Sequence, residues 1–421
     1  MVSEANVGSA RGWVKRRCAW VALLLNSPSV LPLSGVRVLA LEQAVAVPLA
    51  TRHLADMGAE VIKLERPGSG DFARSYDSLV KGQSTYFVWI NRGKKSVTIQ
   101  LKHPKGRELV RALARQADVF VQNLAPGAAE RLGLGGQELL ALNPRLIYCS
   151  LTGYGSSGPY RDKKAYDLLL QGEVGVISTT GTPEAPAKVG ISIVDIAGGM
   201  YVLNGILLAL LERERTGRGR VLEVSLFDAI AEWMHVPLLY VMHTGRPFPR
   251  AGQRHNMIVP YGPYRCGQEG SVNLAIQNQE EWRRFCAVVL EEPELADDPR
   301  YADNQRRVMH RETLEAHIEE RFASLGISEV VRRLEEAEVP YGLVRDVTDL
   351  PRHPQLAARG RWLEVGSPGG PITMLRFPIE APGWEQEPSR IPALGEHTRE
   401  VLSRLGLSPE ELDALAEEGV I

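Results

Sequence analysis

The chain has few of the residues that mark metal or redox chemistry. Its 421 residues include only four cysteines, Cys18, Cys149, Cys266 and Cys286, and no two of them are spaced as zinc ligands. The nine histidines contain no His-x-x-x-His pair, so the sequence predicts no metal site. A chain of this length needs no disulfide framework, and we expect reduced thiols in a cytoplasmic protein.

An excess of charge of one sign is also absent. Lys and Arg number 49 and Asp and Glu number 51, which leaves a net charge of -2. Proteins that bind a nucleic-acid backbone carry a basic excess, so we expect no nucleic-acid partner. The sequence has no Gly-x-x-x-x-Gly-Lys-[Ser/Thr] loop and no Gly-x-Ser-x-Gly motif. A P-loop nucleotide enzyme and an α/β-hydrolase are therefore disfavoured.

Only one apolar run reaches the length of a membrane span. Residues 191–211 are nearly all apolar but include Asp195 and three glycines, and no second span exists. This pattern favours a buried helix of a large soluble protein, without membrane association. Lys15, Arg16 and Arg17 precede a short apolar run that loosely imitates a signal peptide, but a clean cleavage site is missing. We predict a dispensable N-terminal extension.

From Val36 onward, short apolar runs alternate with helical segments. Val36–Leu41 and Glu60–Leu64 have the composition of buried strands, and Pro104–Arg115 that of a crossover helix. Alternation of this kind predicts an α/β fold with a parallel sheet. A stretch rich in Pro, Gly and Tyr after Gly245 marks a linker to a smaller domain. The predicted organisation is an N-terminal extension at 1–32, the first part of a large domain at 33–230, a linker and small domain at 231–340, and a return linker with the last part of the large domain at 341–421.

A glycine-rich segment after a predicted strand imitates a dinucleotide site. Gly153, Gly155 and Gly158 satisfy Gly-x-Gly-x-x-Gly. A dinucleotide site needs a helix to begin among the glycines, with its amides facing the pyrophosphate. Pro159 and the charged run 161–164 follow instead, so nicotinamide binding is the weaker interpretation.

Asp195 is the most informative residue of the apolar run. It precedes by three residues a Gly-Gly pair that we expect to open a helix, where amide dipoles stabilise a carboxylate and apolar walls exclude water. On the residues alone, a helix N-cap is the commoner role for such an aspartate. Asp167, which follows Tyr166, is a second acid in the same region. Two such acids are compatible with covalent carboxylate chemistry.

Several blocks of sequence carry a resemblance that extends from Leu33 to the C-terminus. They include LSGVRVLALEQAVAVPLATRHLADMGAEVIKLERPGSGD, YFVWINRGKKSVTIQLKHPKGRELV, ADVFVQNLAPGAAERLGL, NPRLIYCSLTGYGSSGPY and VDIAGGMYVLNGILLALLERERTGRG. In this order they resemble the class III CoA-transferase family. The resemblance implies a large Rossmann-like parallel-sheet domain, a smaller α/β domain and an interlocked homodimer. It also implies an enzyme that takes acyl-CoA and carboxylic acids as substrates and holds no permanent cofactor.

The resemblance assigns roles to particular residues. Asp195 becomes the nucleophile, which makes the N-cap the minority interpretation. Val45 stands where the family has a glutamine, so a contact through that side chain is lost. The residues implied for binding CoA are Gln43, Ala44, Ala46, Arg66, Ile99, Lys102, Asn123, Leu124, Arg131, Lys164 and Asp167.

Two departures bear on the substrate. The related acyl-CoA racemases have a His-Asp pair where this chain has Tyr166-Asp167, and tyrosine is a poor base near neutral pH. A glycine run of the formyl-CoA branch is replaced by a loop with Arg250, Arg254 and His255, which predicts cations for a second substrate carboxylate. We therefore expect a four- or five-carbon dicarboxylic acid, with mesaconyl-CoA rearranged within one molecule as the specific candidate. The alternatives are transfer from succinyl-CoA to malate or citramalate, an acyl-CoA racemase, and a non-catalytic CoA-binding protein.

Overall fold

The computed structural model describes residues 31–386 and 389–421, so nearly all of the predicted N-terminal extension lies outside the described residues. The strands in chain order are β1 (Arg37–Leu41), β2 (Glu60–Glu65), β3 (Lys94–Thr98), β4 (Val119–Gln122), β5 (Ile147–Thr152), β6 (Arg220–Ser225), β7 (Tyr261–Cys266), β8 (Gly270–Ala275), β9 (Tyr341–Leu343), β10 (Trp362–Val365) and β11 (Ile372–Leu375).

The α-helices in chain order are α1 (Ala46–Asp56), α2 (Thr85–Asn91), α3 (Pro104–Arg115), α4 (Ala128–Arg131), α5 (Gly136–Leu142), α6 (Asp167–Glu173), α7 (Val176–Thr179), α8 (Ile193–Thr216), α9 (Leu226–Trp233), α10 (His235–Thr244), α11 (Gln279–Arg284), α12 (Asn304–Met309), α13 (Arg311–Ala323), α14 (Ile327–Glu336), α15 (Pro354–Ala358), α16 (Thr398–Ser403) and α17 (Pro409–Glu417). A π-helical turn, Phe285–Leu290, continues α11.

A six-stranded parallel sheet with the order β3-β2-β1-β4-β5-β6 forms the centre of the larger part of the chain. Val38, Leu39 and Ala40 of β1 are fully buried, because strands covered on both faces need apolar side chains on both. The predicted α/β fold with a Rossmann-like sheet is confirmed. The chain winds outward from β1 to β3 and then returns to add β4 beside β1. The topological switch point therefore lies between β1 and β4.

Contacts divide the chain into two compact units. Of the described residues, the first contains 31–170, 191–233, 360–386 and 389–421, and the second contains 171–190 and 234–359. In the first unit, Leu402 and Leu412 of the C-terminal helices share one apolar cluster with Leu64 and Val97 of the sheet. The C-terminal segment thus completes the core of the larger unit.

The second unit has its own antiparallel sheet, β7-β8-β9, and a core that includes Trp282 and Phe322. It also contains 171–190, which the sequence placed in the large domain, and 341–359, which the sequence placed in the return segment. A hydrogen bond from Gly252 N to Gly181 O, 2.9 Å long, is one contact that joins the first of these segments to this unit. The domain boundaries themselves stay a prediction.

The apolar run forms α8, which is longer and less buried than the sequence predicted. It ends at Gly217, which takes the left-handed conformation at φ 69°. One face packs against α1, β5, β6 and α9, while Leu208 and Leu211 on another face are exposed. Among the described residues, α8 alone combines the length and apolarity that crossing a membrane requires, and 44% of its most apolar window is buried in the fold.

Candidate active site

A cavity of about 280 Å³ opens at the carboxyl ends of β1, β2, β3 and β4. This is the crevice at the topological switch point, where doubly wound sheets bind their ligands. The predicted CoA-binding residues that line the cavity are Gln43, Arg66, Ile99, Lys102 and Leu124. Each of them follows the end of a strand, which is why residues distant in sequence meet here.

The remaining predicted residues take different positions. Asn123 acts on the backbone of Gln43, with Oδ1 accepting from Gln43 N at 2.9 Å and Nδ2 donating to Gln43 O at 2.8 Å. Ala46 is the first residue of α1, and Arg131 is the last of α4, between the lining residues Ala128 and Leu132. Lys164 is exposed in an irregular segment and does not line the cavity.

Three carboxylates also line the cavity, and all of them are neutralised within the protein. Glu65 Oε2 accepts from Arg74 Nε at 2.8 Å. Asp71 Oδ2 accepts from Lys63 Nζ at 2.8 Å, and Glu42 Oε1 accepts from Lys94 Nζ at 2.6 Å. Because a cation lies within 2.8 Å of each carboxylate, the acids add little net negative potential to the cavity.

Three cations at or beside the cavity are not neutralised in this way. The side chains of Arg66, Lys102 and Arg131 are exposed and form no hydrogen bond or ion pair with any residue that the structure describes. Positive charge without an internal partner suits a ligand with several phosphates. Within residues 31–386 and 389–421, no group of three or more His, Cys, Asp or Glu could hold a metal ion.

The sequence did not predict the buried network behind the cavity. Lys63 Nζ also lies 3.3 Å from Glu42 Oε1, and Thr51 Oγ1 donates to Glu42 Oε2 at 2.6 Å. Burial, together with the charge of Lys63, lowers the pKa of Lys94 to about 7 although Glu42 opposes the shift. Burial acts to raise the pKa of Glu42, but Lys94 and Lys63 hold it below its usual value. Charged residues within apolar strand segments are the one sign of this network in the sequence.

The loop between β1 and α1 is held in an unusual conformation. Ala44 has φ 60°, a left-handed value that a residue with a Cβ rarely adopts. Its N–H donates to Asp71 Oδ1 at 3.1 Å, while Asn123 holds the neighbouring Gln43. The N-cap of α1, Val45, makes no side-chain capping hydrogen bond. Two side chains from outside the loop therefore determine its conformation.

Asp195 lies in the first turn of α8, not at its N-cap. The helix begins at Ile193 with Ser192 as N-cap, so the expectation that the Gly-Gly pair opens the helix is wrong. A residue distant in sequence caps the helix instead. Asp167 Oδ1 accepts from Val194 N at 2.8 Å and lies 3.4 Å from Asp195 N. An acceptor on these amides satisfies donors that a helix leaves unpaired.

The Gly-Gly pair has a packing role instead. A Cβ on Gly199 would lie 2.5 Å from Ala46 O, so only glycine lets α8 approach the start of α1 this closely. Ile196, the neighbour of Asp195, packs against the apolar cluster that contains Val45, with Ala44 beside it. The turn that carries Asp195 is thereby connected to the loop after β1.

The surroundings of Asp195 make its charged form less favourable. Burial, and then the charge of Asp167, raises the pKa of Asp195 from 3.8 to about 7. Burial also raises the pKa of Tyr76 to about 12, with further contributions from Asp71 and Asp195. Tyr86 Oη lies 3.5 Å from Ser192 Oγ. The sequence analysis did not predict that either tyrosine lies near Asp195, and the only sign in the sequence is that several aromatic residues follow Asp71.

Both arginines of the cationic loop in the second unit are engaged by groups of the same unit. Arg254 forms ion pairs with Glu315, at 2.6 Å, and with Glu319. Arg250 donates to the backbone carbonyls of residues 178, 182 and 183. His255 stacks on Tyr261, and its pKa is lowered by burial and by Arg311. Glu315 and Glu319 therefore neutralise Arg254, whereas the carbonyl oxygens leave the charge of Arg250 in place, and the role of this loop toward a second carboxylate stays a prediction.

Comparison with known proteins agrees with this architecture. The model of CoA-transferase family III matches residues 33–398. The acetyl-CoA:oxalate CoA-transferase of Acetobacter aceti is 35% identical, over 84% of this chain and 92% of its own length. The succinate–glutarate CoA-transferase of Agrobacterium fabrum is 36% identical, over 89% and 96% respectively.

A third relative and a solved structure extend the likeness. The succinyl-CoA–D-citramalate CoA-transferase of Chloroflexus aurantiacus is 33% identical, over 93% of this chain and 98% of its own. The crystal structure of a CAIB/BAIF family protein from Brucella suis superposes with a TM-score of 0.77 at 34% identity, covering 89% of this chain and 99% of that one. The expected resemblance is confirmed over most of the chain. This protein belongs to CoA-transferase family III and is a CoA-transferring enzyme.

Proposed function

We propose that the enzyme transfers CoA between carboxylic acids through a covalent intermediate on Asp195, with a dicarboxylic acid as the acceptor. The observation that carries this proposal is the environment of Asp195. Its pKa of about 7 leaves a substantial ionised fraction at neutral pH, while its partial burial leaves the carboxylate poorly hydrated. A poorly hydrated carboxylate is a better nucleophile toward a thioester.

The reaction divides into two matched halves. Asp195 attacks the donor thioester carbonyl and expels the CoA thiolate, which gives a mixed anhydride. The thiolate then attacks the aspartyl carbonyl, which releases the donor acid and leaves an aspartyl-CoA thioester. The acceptor carboxylate attacks this thioester, which expels the CoA thiolate and gives a second mixed anhydride. The thiolate then attacks the acceptor's carbonyl carbon in this anhydride. New acyl-CoA leaves, Asp195 returns as a carboxylate, and each step is easier than direct exchange.

The switch-point cavity is the proposed site for the nucleotide of CoA. Arg66, Lys102 and Arg131 supply positive charge that the protein does not neutralise. Gln43 lines this cavity, and α1, which begins three residues later, has no side-chain cap on its first amides. Unpaired cations beside an uncapped helix start suit the phosphate oxygens of a nucleotide.

The names of the relatives support a dicarboxylic acceptor. Oxalate, glutarate and citramalate each carry two carboxylates, and each name describes transfer between two molecules. Since Arg250 and Arg254 are engaged within their own unit, the loop gives no support for rearrangement of mesaconyl-CoA. We therefore favour the intermolecular reaction, and the mesaconyl-CoA substrate stays a prediction. Tyr166 in place of a histidine base disfavours the racemase.

We also propose that the enzyme acts as a homodimer, as the family resemblance implies. Helix α10 is apolar along most of its length, and none of its residues is buried in the single chain. Val236 and Met242 are 61% and 69% exposed, which is costly in water unless a partner covers them. Analytical ultracentrifugation of the purified protein tests this proposal, and we expect twice the mass of a single chain.

The experiment for the proposed function is thioester exchange with wild type and Asp195→Ala. Acetyl-CoA or succinyl-CoA is incubated with isotope-labelled oxalate, glutarate or citramalate, and product thioesters are read by mass spectrometry. We expect labelled thioester from wild type and a rate at least about 1000-fold lower from the variant, because the nucleophile is gone. Hydroxylamine added with the donor should inactivate wild type and modify Asp195. Near-normal turnover of Asp195→Ala would refute the mechanism.

A further inference from the structure

Asp71, which follows β2, has hydrogen bonds that the proposed reaction does not require. Asp71 is 2% exposed and forms part of the cavity wall. Its Oδ1 accepts from Ala44 N at 3.1 Å and from Ala73 N at 2.9 Å, while Oδ2 accepts from Lys63 Nζ at 2.8 Å. One carboxylate thus joins the loop after β1, the turn after β2 and a buried ammonium.

The loop needs such a restraint because of its backbone conformation. Ala44 is held at φ 60°, and an alanine outside a constrained structure seldom occupies that region. Without an acceptor for its N–H, residue 44 would relax to an ordinary φ, and the adjacent backbone would move with it. Asn123 fixes Gln43 but makes no contact with Ala44 N. Asp71 alone among the described side chains accepts that amide.

We propose that Asp71 is a positioning residue, which fixes the left-handed conformation at Ala44 and thereby holds the loop ready for CoA. The assignment rests on the proposed function, since it takes the cavity as the CoA site. Lys63 holds the carboxylate in place from the other side, because its ammonium is fully buried and has Glu42 as its other partner. The role is indirect: Asp71 acts through the backbone of the loop.

A loop that occupies its binding conformation only part of the time lowers apparent affinity by that fraction. Asp71→Ala is therefore expected to raise the Kd of free CoA, measured by calorimetry, by about tenfold, which corresponds to about 1.4 kcal/mol. The KM of every CoA thioester should rise by a similar factor, while kcat at saturation should stay within about twofold because Asp195 is untouched. Asp71→Asn retains an oxygen acceptor for Ala44 N, and its Kd should stay closer to that of wild type.

A second substitution separates loop positioning from a general loss of stability. Glycine adopts φ 60° without strain, so Ala44→Gly placed in the Asp71→Ala background should recover at least half of the lost binding free energy. The missing contact between Asp71 and Lys63 cannot be restored by a glycine at residue 44. Asp303→Ala is the matched control, because Asp303 makes a carboxylate–amide cap to Arg306 N at 2.9 Å in the other unit.

These experiments distinguish a failure of the positioning role of Asp71 from a failure of the proposed CoA-transfer function. If wild type neither binds free CoA nor exchanges thioesters, the proposed function fails. If wild type does both, and Asp71→Ala binds CoA as wild type does, the positioning role is refuted. Lost affinity that Ala44→Gly does not recover also refutes it, because the loss then comes from Lys63 or from the fold. Thermal unfolding of each variant shows that the compared proteins are folded.

Discussion

Lowering the pH should switch off Asp195 at a pH where an ordinary aspartate would still be fully ionised. Burial and Asp167 raise its pKa from 3.8 to about 7. A shift of roughly three units corresponds to ~4 kcal/mol of preference for the neutral form, at about 1.36 kcal/mol per unit. Only the carboxylate can attack the thioester. The rate should therefore fall about tenfold for each pH unit below 7.

The assay is kcat/KM of the donor from about pH 5 to pH 9, because this parameter reports the ionisation of the free enzyme. The terminal phosphate of CoA titrates near pH 6, and a substrate effect could imitate part of the profile. Asp167→Asn distinguishes titration of Asp195 from titration of the CoA phosphate. It removes the charge that is the second cause of the raised pKa of Asp195, while the substrate is unchanged. The midpoint should move to lower pH but stay above 3.8, since burial remains the larger cause. A flat wild-type profile down to about pH 5 would refute the reasoning.

The same shift predicts a stability change of defined sign. Below pH 3.8 Asp195 is protonated in both the folded and the unfolded chain, and it imposes no penalty. Between 3.8 and about 7 the unfolded chain ionises first, so the folded state loses stability, and the loss is complete above 7. Asp195→Asn should exceed wild type in free energy of unfolding by up to ~4 kcal/mol near pH 8 and by under about 2 kcal/mol near pH 5. Urea titrations at the two pH values measure this difference.

Three further substitutions test the cavity and the buried charges. Arg66→Ala and Lys102→Ala should each raise the KM of all CoA thioesters by the same factor, about tenfold or more, because a charge-assisted contact contributes about 1.5–3 kcal/mol. Lys105→Ala, which removes a surface pair with Glu418 at 2.7 Å, is the control, and an effect limited to one acyl group would assign the residue to the acid pocket. Asp56→Ala leaves the buried Arg92 without its bidentate partner, at 2.8 and 2.9 Å, and should lower the free energy of unfolding by about 3–5 kcal/mol. Unchanged urea denaturation would contradict that expectation.

The sheet was predictable because its signals are local. Apolar runs covered on both faces identify buried strands, and Pro104 at the first position of α3 fixes the start of that helix as predicted. Helix α17 likewise begins at Pro409, where Ser408 and Glu411 form a capping box. In each case, the residues that define the element lie within a few positions of one another.

The start of α8 and the buried charges were not predictable in the same way. The acceptor that caps α8 is Asp167, 27 residues before Val194, so the local sequence places the helix start wrongly at the glycines. Lys94 meets Glu42 across 52 residues of chain. Arg254 is neutralised by Glu315, which is 61 residues away. Charge pairing depends on the tertiary fold, and periodicity in one sequence contains no information on it.

Two aspartates other than the proposed nucleophile therefore accept hydrogen bonds from the backbone, one in the first turn of α8 and one in the loop after β1. Asp167 accepts from the amide of Val194 beside the nucleophile, and Asp71 accepts from Ala44 in the loop. Their electrostatic settings differ, because Asp71 shares the buried charge of Lys63 while Asp167 raises the pKa of Asp195. Replacing each by asparagine retains an acceptor oxygen and removes the charge. The change at Asp167 should therefore alter the acidity of the nucleophile, whereas the change at Asp71 should leave it nearly unaltered, so that one pair of variants separates electrostatic tuning from backbone positioning.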